Sequence, residues 1–268
     1  MKNNYKFGVI GCGNMADAIL GGALEKKIFE SYDVLVYDTD PDKAMNFAEK
    51  YDVCLANSNS DVCERADFVL LAVKPQSFLS LSPELKDAKF IISIMAGVKI
   101  ETIKNNVPKL KSLARIMPNA PVKVALGMSA VSFENASTND RKFVLDLFSS
   151  IGKAIEIEEN KLDAVTAISG SGPAYVYYFI QSMINAGIEI GLSEEESKTL
   201  TYQTFLGATT LSQNSEIDLD NLIDMVCSKG GTTIEAIKTF KNRDTDKIIS
   251  DAVKACFNRS LELSGAKK

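Results

Sequence analysis

Gly11-Cys12-Gly13-Asn14-Met15-Ala16 follows an apolar run, Phe7–Ile10, and opens a stretch of helical periodicity. A G-x-G-x-x-A spacing between a strand and a helix is chemistry for a pyrophosphate. Gly11 allows the tight turn and Gly13 lets the backbone approach the phosphates. Asn14 and Met15 start a helix whose free N–H groups and partial positive charge face the anion. Ala16 lets that helix lie close on the strand. The competing reading is a bare glycine turn, and the position between the first strand and the first helix weighs against it.

Three further positions fit a dinucleotide. Asp38 ends the second strand, where an acid accepts from the adenosine ribose hydroxyls. A carboxylate ~4 Å from a 2′-phosphate costs about 4 kcal/mol at an effective dielectric of 20. The only nearby cation in sequence is Lys43, so the residues favour NADH over NADPH. A solvated loop aspartate is the alternative. Ala72-Val73-Lys74-Pro75 ends a later strand, and Pro75 stops its ladder, turning Lys74 toward the crevice beyond the sheet. A plain surface lysine is the alternative there. The small residues Ala96 and Gly97, after Ser93-Ile94-Met95, would let a nicotinamide ring lie against backbone.

Two turns in the second half offer anion-binding helix starts. One is Ser169-Gly170-Ser171-Gly172-Pro173-Ala174-Tyr175; the other is Cys227-Ser228-Lys229-Gly230-Gly231-Thr232-Thr233. Both supply N–H donors and hydroxyls suited to a carboxylate, with ordinary capping as the alternative. Histidine is absent, which removes His triads, His general acids and His-ligated metal sites; no metal site is expected.

The elements that must position these residues change character midway. Strand-like runs at Phe7–Ile10, Val34–Tyr37, Phe68–Val73, Phe90–Ile94 and Ser112–Met117 alternate with helices at Ala16–Lys26, Pro41–Lys50, Ser60–Glu64 and Ile100–Asn105. This predicts an α/β fold with a doubly wound parallel sheet. Strands at Gly127–Phe133 and Lys153–Ile157 flank a helix at Asn139–Ser150. From Leu162 onward six stretches, Leu162–Ala167, Ala174–Ile190, Ser193–Ser212, Leu219–Val226, Thr232–Phe240 and Thr245–Ser264, read as helices. Ser193-Glu194-Glu195-Glu196 is a capping box. The reading divides the chain into a dinucleotide-binding domain, 1–158, and an all-helical domain, 159–268, as its 268 residues suggest at ~150 per domain.

Thirty basic and 35 acidic residues give a net charge of −5 with no basic block, which argues against nucleic acid. No apolar run approaches the ~20 residues of a membrane helix, and the start offers no signal region. Five scattered cysteines without a C-x-x-C pair fit a reducing cytoplasm. The consecutive Val176-Tyr177-Tyr178-Phe179-Ile180 makes one helix apolar on several faces, so a homodimer or larger homo-oligomer is expected.

Together, the fingerprint, Ala72-Val73-Lys74-Pro75, Arg115-Ile116-Met117-Pro118-Asn119, Ser169 to Tyr175, Gly230 to Thr233 and Cys256-x-x-Arg259-Ser260-x-Glu262-Leu263 resemble the pyrroline-5-carboxylate reductase family over essentially the whole chain. The resemblance implies a Rossmann domain and a helical domain that interlocks with a second subunit. It also implies a cofactor site lined by Asn59, Lys74 and Ala96. The substrate site would be formed by Gly231, Thr232 and Thr233, with Thr233 nearest the ring nitrogen. Lys229 departs from the proline usual in the family. The resemblance points to NADPH, whereas Asp38 points to NADH.

The expected reaction is hydride transfer from NAD(P)H to the C=N carbon of 1-pyrroline-5-carboxylate, giving L-proline. A protonated imine is already electrophilic, which suits a chain without histidine. A hydroxyacid dehydrogenase of the same architecture is the second reading; it needs a general base that no segment here resembles. A non-catalytic nucleotide sensor is the third.

Overall fold

Beta-branched and aromatic runs build the sheet, as the sequence predicts. The computed structural model describes residues 4–265. Its strands are β1 (Tyr5–Ile10), β2 (Val34–Tyr37), β3 (Cys54–Leu55), β4 (Ala66–Leu71), β5 (Phe90–Ser93), β6 (Ser112–Met117), β7 (Gly127–Glu134) and β8 (Gly152–Glu156). They form one sheet in the order β3-β2-β1-β4-β5-β6-β7-β8. Every neighbouring pair is parallel except β6 and β7. That reversal has a simple cause: a single 3₁₀ turn, Ala120–Val124, joins the two strands, too short for a parallel crossover.

The helices of this half are α1 (Asn14–Glu25), α2 (Pro41–Tyr51), α3 (Asn59–Arg65), α4 (Phe78–Leu81), α5 (Ile100–Asn106), α6 (Thr138–Ser149) and α7 (Leu162–Val165). Their starts are written in the sequence. Asp40 caps α2 ahead of Pro41, Ser58 caps α3, and Ser137 exchanges capping bonds with Asp140 on α6. Successive strand residues point to opposite faces, so two apolar clusters form. Val9, Leu70 and Ile92 join Ile19, Leu20 and Phe148; Ile10, Leu71 and Ile91 join Val62, Leu85 and Ile103. Full burial of each such side chain contributes about 2 kcal/mol.

The structure shifts some expected boundaries. The strand expected at Phe68–Val73 runs from Ala66 to Leu71, and the helix expected at Ser60–Glu64 spans Asn59–Arg65. β3 is two residues long and leaves no periodicity to read. The link from β4 to β5 is a broken helix, Pro75–Ser77, α4 and Ser82–Leu85, cut into short turns around Pro75 and Pro83.

The described chain divides into two compact units. The first holds the sheet, everything up to Ser171, and the stretch from Cys256 onward. The second, Gly172–Ala255, is helical: α8 (Gly172–Glu189), α9 (Glu194–Asn214), α10 (Leu219–Val226), α11 (Thr232–Asn242) and most of α12 (Thr245–Leu263). Ser193 and Glu196 form the expected capping box on α9. Within this unit only Ile184, Gly187, Ser197 and Thr201 are buried. Tyr177, Tyr178, Leu206 and Met225 lie more than half exposed. Among the described residues no helix is long and apolar enough to cross a membrane.

Gly152 begins β8 at φ +148°, and a methyl group there would collide with the Gly127 backbone. Gly152→Ala should therefore cost about 2–4 kcal/mol through backbone strain and overpacking. Urea unfolding of the variant beside the parent checks this; an unchanged midpoint would mean that the β7–β8 edge carries no stability.

Candidate functional site

Parallel strands deliver their last residues to one edge of the sheet. Ile10 pairs with Tyr37 on one side and Leu71 on the other, so β1, β2 and β4 end level. Gly11 then turns at φ +95°, where a β-carbon would come within 2.9 Å of the Ala72 carbonyl. Its N–H donates to the Tyr37 carbonyl at 2.9 Å. Only glycine fits that approach. Gly13 is the opposite case: a β-carbon there meets nothing within 4 Å. Gly13 starts α1, and no side chain caps this helix. The backbone of Asn14 and Met15 thus opens onto free space at the positive end of a helix, an arrangement that fits a pyrophosphate.

Asp38 ties this turn to the end of β2. Its Oδ2 accepts the Cys12 N–H at 2.8 Å and lies 3.2 Å from Lys43 Nζ; its Oδ1 accepts the Asp40 N–H at 3.0 Å. Burial pushes the carboxyl pKa up, but the Asp40 and Cys12 N–H groups and Lys43 together outweigh it and hold it below the ordinary value. Asp38 is therefore an anion at neutral pH, already partnered by the one cation that its sequence neighbourhood offers.

A cavity of about 320 Å³ opens beside it, lined by Gly11, Asp38, Thr39, Asn59, Val73 and Ser77, among others. Asn59 is buried at the start of α3 and donates to Glu84 Oε2 at 3.2 Å. Ala72 and Val73 are half-buried, and the Ala72 N–H donates to the Ile10 carbonyl at 2.9 Å. Lys74 is exposed, preceding the turn that Pro75 begins. Thr39, Ser77, Ser80 and Glu84 also line the cavity, although sequence reasoning did not single them out. Thr39 merely follows Asp38 in an acidic loop. The others sit on the broken helix, whose doubling back no periodicity reveals.

After β5, Ala96 is exposed and Gly97 turns at φ +76°. Beyond β6, the Asn119 amide bridges two segments. Its Nδ2 donates to the Ser169 carbonyl at 3.2 Å, and its Oδ1 accepts the Met128 N–H at 2.8 Å. Ser171 Oγ accepts a hydrogen bond from Cys256 Sγ at 3.3 Å.

The second unit carries the other glycine turn. Gly230 adopts φ +75°, and the Gly231 N–H donates to the Ser228 carbonyl at 2.9 Å. Gly231 starts α11, again with no side-chain cap. Thr232 is exposed, Thr233 is half-buried, and Lys229 is exposed. Each unit thus carries an uncapped helix start at a glycine, α1 in the first and α11 in the second. The helix start expected at Ser169–Tyr175 is instead a π-helical stretch, Thr166–Gly170, that leads almost directly into α8. Among the described residues no cluster of acid and thiol side chains could hold a metal ion.

Residues 159–263 match the family described as pyrroline-5-carboxylate reductase dimerisation. A pyrroline-5-carboxylate reductase of Haemophilus influenzae is 36% identical over 261 residues, covering 95% of this chain and 96% of its own. The chain belongs to the pyrroline-5-carboxylate reductase family. Residues 6–97 also match the family described as NADP oxidoreductase, coenzyme F420-dependent. Among solved structures, the Plasmodium falciparum pyrroline carboxylate reductase with NADP bound superposes at TM-score 0.88 and 31% identity, over 98% of this chain and 99% of that one. The Coxiella burnetii pyrroline-5-carboxylate reductase gives 0.89 and 30%, again over 98% and 99%. A ketol-acid reductoisomerase at 14% identity and TM-score 0.64 shares the fold alone. This membership makes the chain an NAD(P)H-dependent oxidoreductase, as the sequence led us to expect, and sets aside the hydroxyacid dehydrogenase and sensor readings.

Cys12 stands inside the fingerprint, but it is no nucleophile. Burial, with the Asp38 charge beside it, pushes its thiol up to about 12, and burial does the same for Cys63. Less than roughly one molecule in 10⁴ carries either thiolate at pH 7.5. Iodoacetamide at that pH should therefore spare Cys12 and Cys63 in the native protein and label both in urea, as read by peptide mass spectrometry. Rapid native labelling of Cys12 would contradict the burial.

Proposed function

We propose that this chain reduces 1-pyrroline-5-carboxylate to L-proline with NAD(P)H. The dinucleotide would be held at the carboxyl edge of the sheet and the imino acid at the Gly230–Thr233 turn. The observation that carries the reading is the open, uncapped helix start at Gly13 beside the Asp38 cavity. Gly11, Gly13, Asn14 and Met15 would cradle the pyrophosphate, Asp38 and Asn59 would face the adenosine half, and Val73 to Pro75 with Ala96 and Gly97 would flank the nicotinamide half. When bound, the reduced cofactor supplies the hydride that the C=N carbon accepts.

The remaining work falls to the chain itself. The Thr232 and Thr233 N–H groups at the start of α11 bind the substrate carboxylate, while the Gly231 N–H, held by the Ser228 carbonyl, shapes the turn. Ser171, just before α8, contributes a hydroxyl. Thr233 Oγ1 orients the ring nitrogen. Its hydroxyl is too weak an acid to donate the proton outright, so the proton on the imine comes from solvent, and the protein's contribution is alignment. We assign cofactor binding to 1–158 and substrate binding and dimerisation to 159–268. The exposed tyrosines and leucines of α8 and α9 would be covered by a second copy, because a helix apolar on several faces has to be buried. Five free cysteines fit a cytoplasmic location.

Steady-state rates with pyrroline-5-carboxylate, measured with NADH and NADPH in parallel, test the assignment; no turnover with either would refute it. Thr233→Ala should lower kcat about tenfold or more, roughly the weight of one well-placed hydrogen bond to an ionised group, while cofactor affinity holds. Full kcat with lost NADH affinity would move Thr233 to the wrong site.

Cofactor choice turns on Asp38. Its carboxylate repels a 2′-phosphate, yet Lys43 at 3.2 Å neutralises part of that field. We expect NADH to be preferred by about tenfold, near 1.4 kcal/mol. Asp38→Ser should then raise kcat/KM for NADPH and lower it for NADH. An unchanged ratio would mean that Asp38 serves only to fasten the Cys12 turn.

A further inference from the structure

The turn after β5 is held from outside by two carboxylates of one short segment. Glu159 stands at its start: its Oε1 accepts the Ile100 N–H at 2.7 Å and the Arg115 Nη1 at 2.9 Å. Ile100 opens α5, whose preceding residue, Lys99, gives no side-chain cap, so Glu159 supplies that cap from another element. Arg115 is itself buried in the sheet, and it fixes the carboxylate in turn.

Asp163, on α7, is 6% exposed. Its two oxygens each face a hydroxyl from the end of α12. Ser260 Oγ donates to Oδ1 at 2.5 Å, and Ser264 Oγ, 3.3 Å from Oδ2, shares its one proton between that oxygen and the Leu261 carbonyl at 3.0 Å. The two serines are four residues apart, so they share one helical face. This clasp decides where the end of α12 lies, and that end lies on Gly97. A β-carbon on Gly97 would come 3.1 Å from the Leu263 carbonyl oxygen and 3.6 Å from the Ser264 nitrogen. Backbone thus packs on backbone at the turn, with no side chain between to absorb a shift. The residues from 159 to 163 brace both ends of the turn Ala96–Ile100.

We infer that Asp163 is a positioning residue for the nicotinamide end of the cofactor, acting through Ser260, Ser264 and the end of α12 on the Ala96–Gly97 turn. The inference rests on the reading that this turn flanks the nicotinamide. A carboxylate gripped by the short Ser260 hydroxyl bond, with Ser264 beside its other oxygen, resists displacement more than a neutral contact does. Without it the end of α12 is free to lift, and Gly97 loses the surface that fixes its position. The adenine end, at Asp38 after β2 and Asn59 at the start of α3, lies on other elements and does not depend on the clasp.

The test compares two ligands that differ only in the nicotinamide base, NADH and ADP-ribose, titrated against the full-length protein. Asp163→Ala should raise Kd for NADH roughly fivefold or more and lower kcat, yet leave Kd for ADP-ribose within about twofold. Asp163→Asn, which keeps an acceptor for Ser260, should recover most of the loss. Ser264→Ala should move the same ratio in the same direction by less, and it carries the measurement if Asp163→Ala does not fold. Parallel weakening of both ligands, or no change in either, overturns the brace. Gly97→Ala, which disturbs the turn directly, separates the two ideas. If it splits NADH from ADP-ribose while the Asp163 and Ser264 variants do not, the brace fails and the reading of the turn stands. If Gly97→Ala fails to split them, the reading falls and the brace with it.

Discussion

Parallel pairing with level carboxyl ends is the constraint on which the cofactor edge depends. Ile10, Tyr37, Leu71 and Ser93 are linked in one register across β2, β1, β4 and β5. Each strand therefore releases its next residues into the same strip of space: Gly11, Asp38, Ala72 and Ile94. A slip of one residue in any pair would turn that strand's apolar side chains to the other face. The two buried clusters, one on each face, hold the register against such a slip. The geometry of the edge is thus a consequence of packing well below it.

At that edge one carboxylate serves two ends. Asp38 fastens the Cys12 N–H to the end of β2 and faces the cavity beside Asn59. Lys43 at 3.2 Å offsets the cost of keeping it ionised in a half-buried place. On the proposed placement of the ribose, the same lysine would weaken the repulsion of a 2′-phosphate. An unpaired aspartate ~4 Å away would disfavour that phosphate by about 4 kcal/mol, whereas a paired and partly solvated one does so by a fraction of it. On that placement, electrostatics would set a bias between two cofactors rather than a bar against one.

The two units differ in how they are stabilised. The sheet unit closes its own core, with Phe7, Leu20, Ile91 and Phe148 among the fully buried side chains. In Gly172–Ala255 four residues are buried and long aromatic and aliphatic side chains stand in solvent. Such a unit gains little from folding alone, since apolar burial is the main favourable contribution to folding. The proposed second copy would supply the missing cover, which makes assembly part of this unit's stability.

The sequence by itself determined the class of fold, the G-x-G-x-x-A turn, the cap of α9 and the Gly230–Gly231 turn. These are local: a strand period, a cap or a positive φ at glycine depends on residues within a few positions of one another. It also determined the excess of apolar surface on α8, which composition alone reveals. The tertiary structure decided what depends on distant residues meeting. It paired Lys43 with Asp38, turned β7 antiparallel to β6, brought Ser77 and Glu84 to the cavity, and set Glu159 and Asp163 on the two ends of one turn. Asp163 and Ser260 are 97 residues apart in the chain, and no local pattern links them. Only packing of the last helix on the sheet unit brings a buried carboxylate to those two hydroxyls, because a buried charge must find its partners wherever the fold puts them.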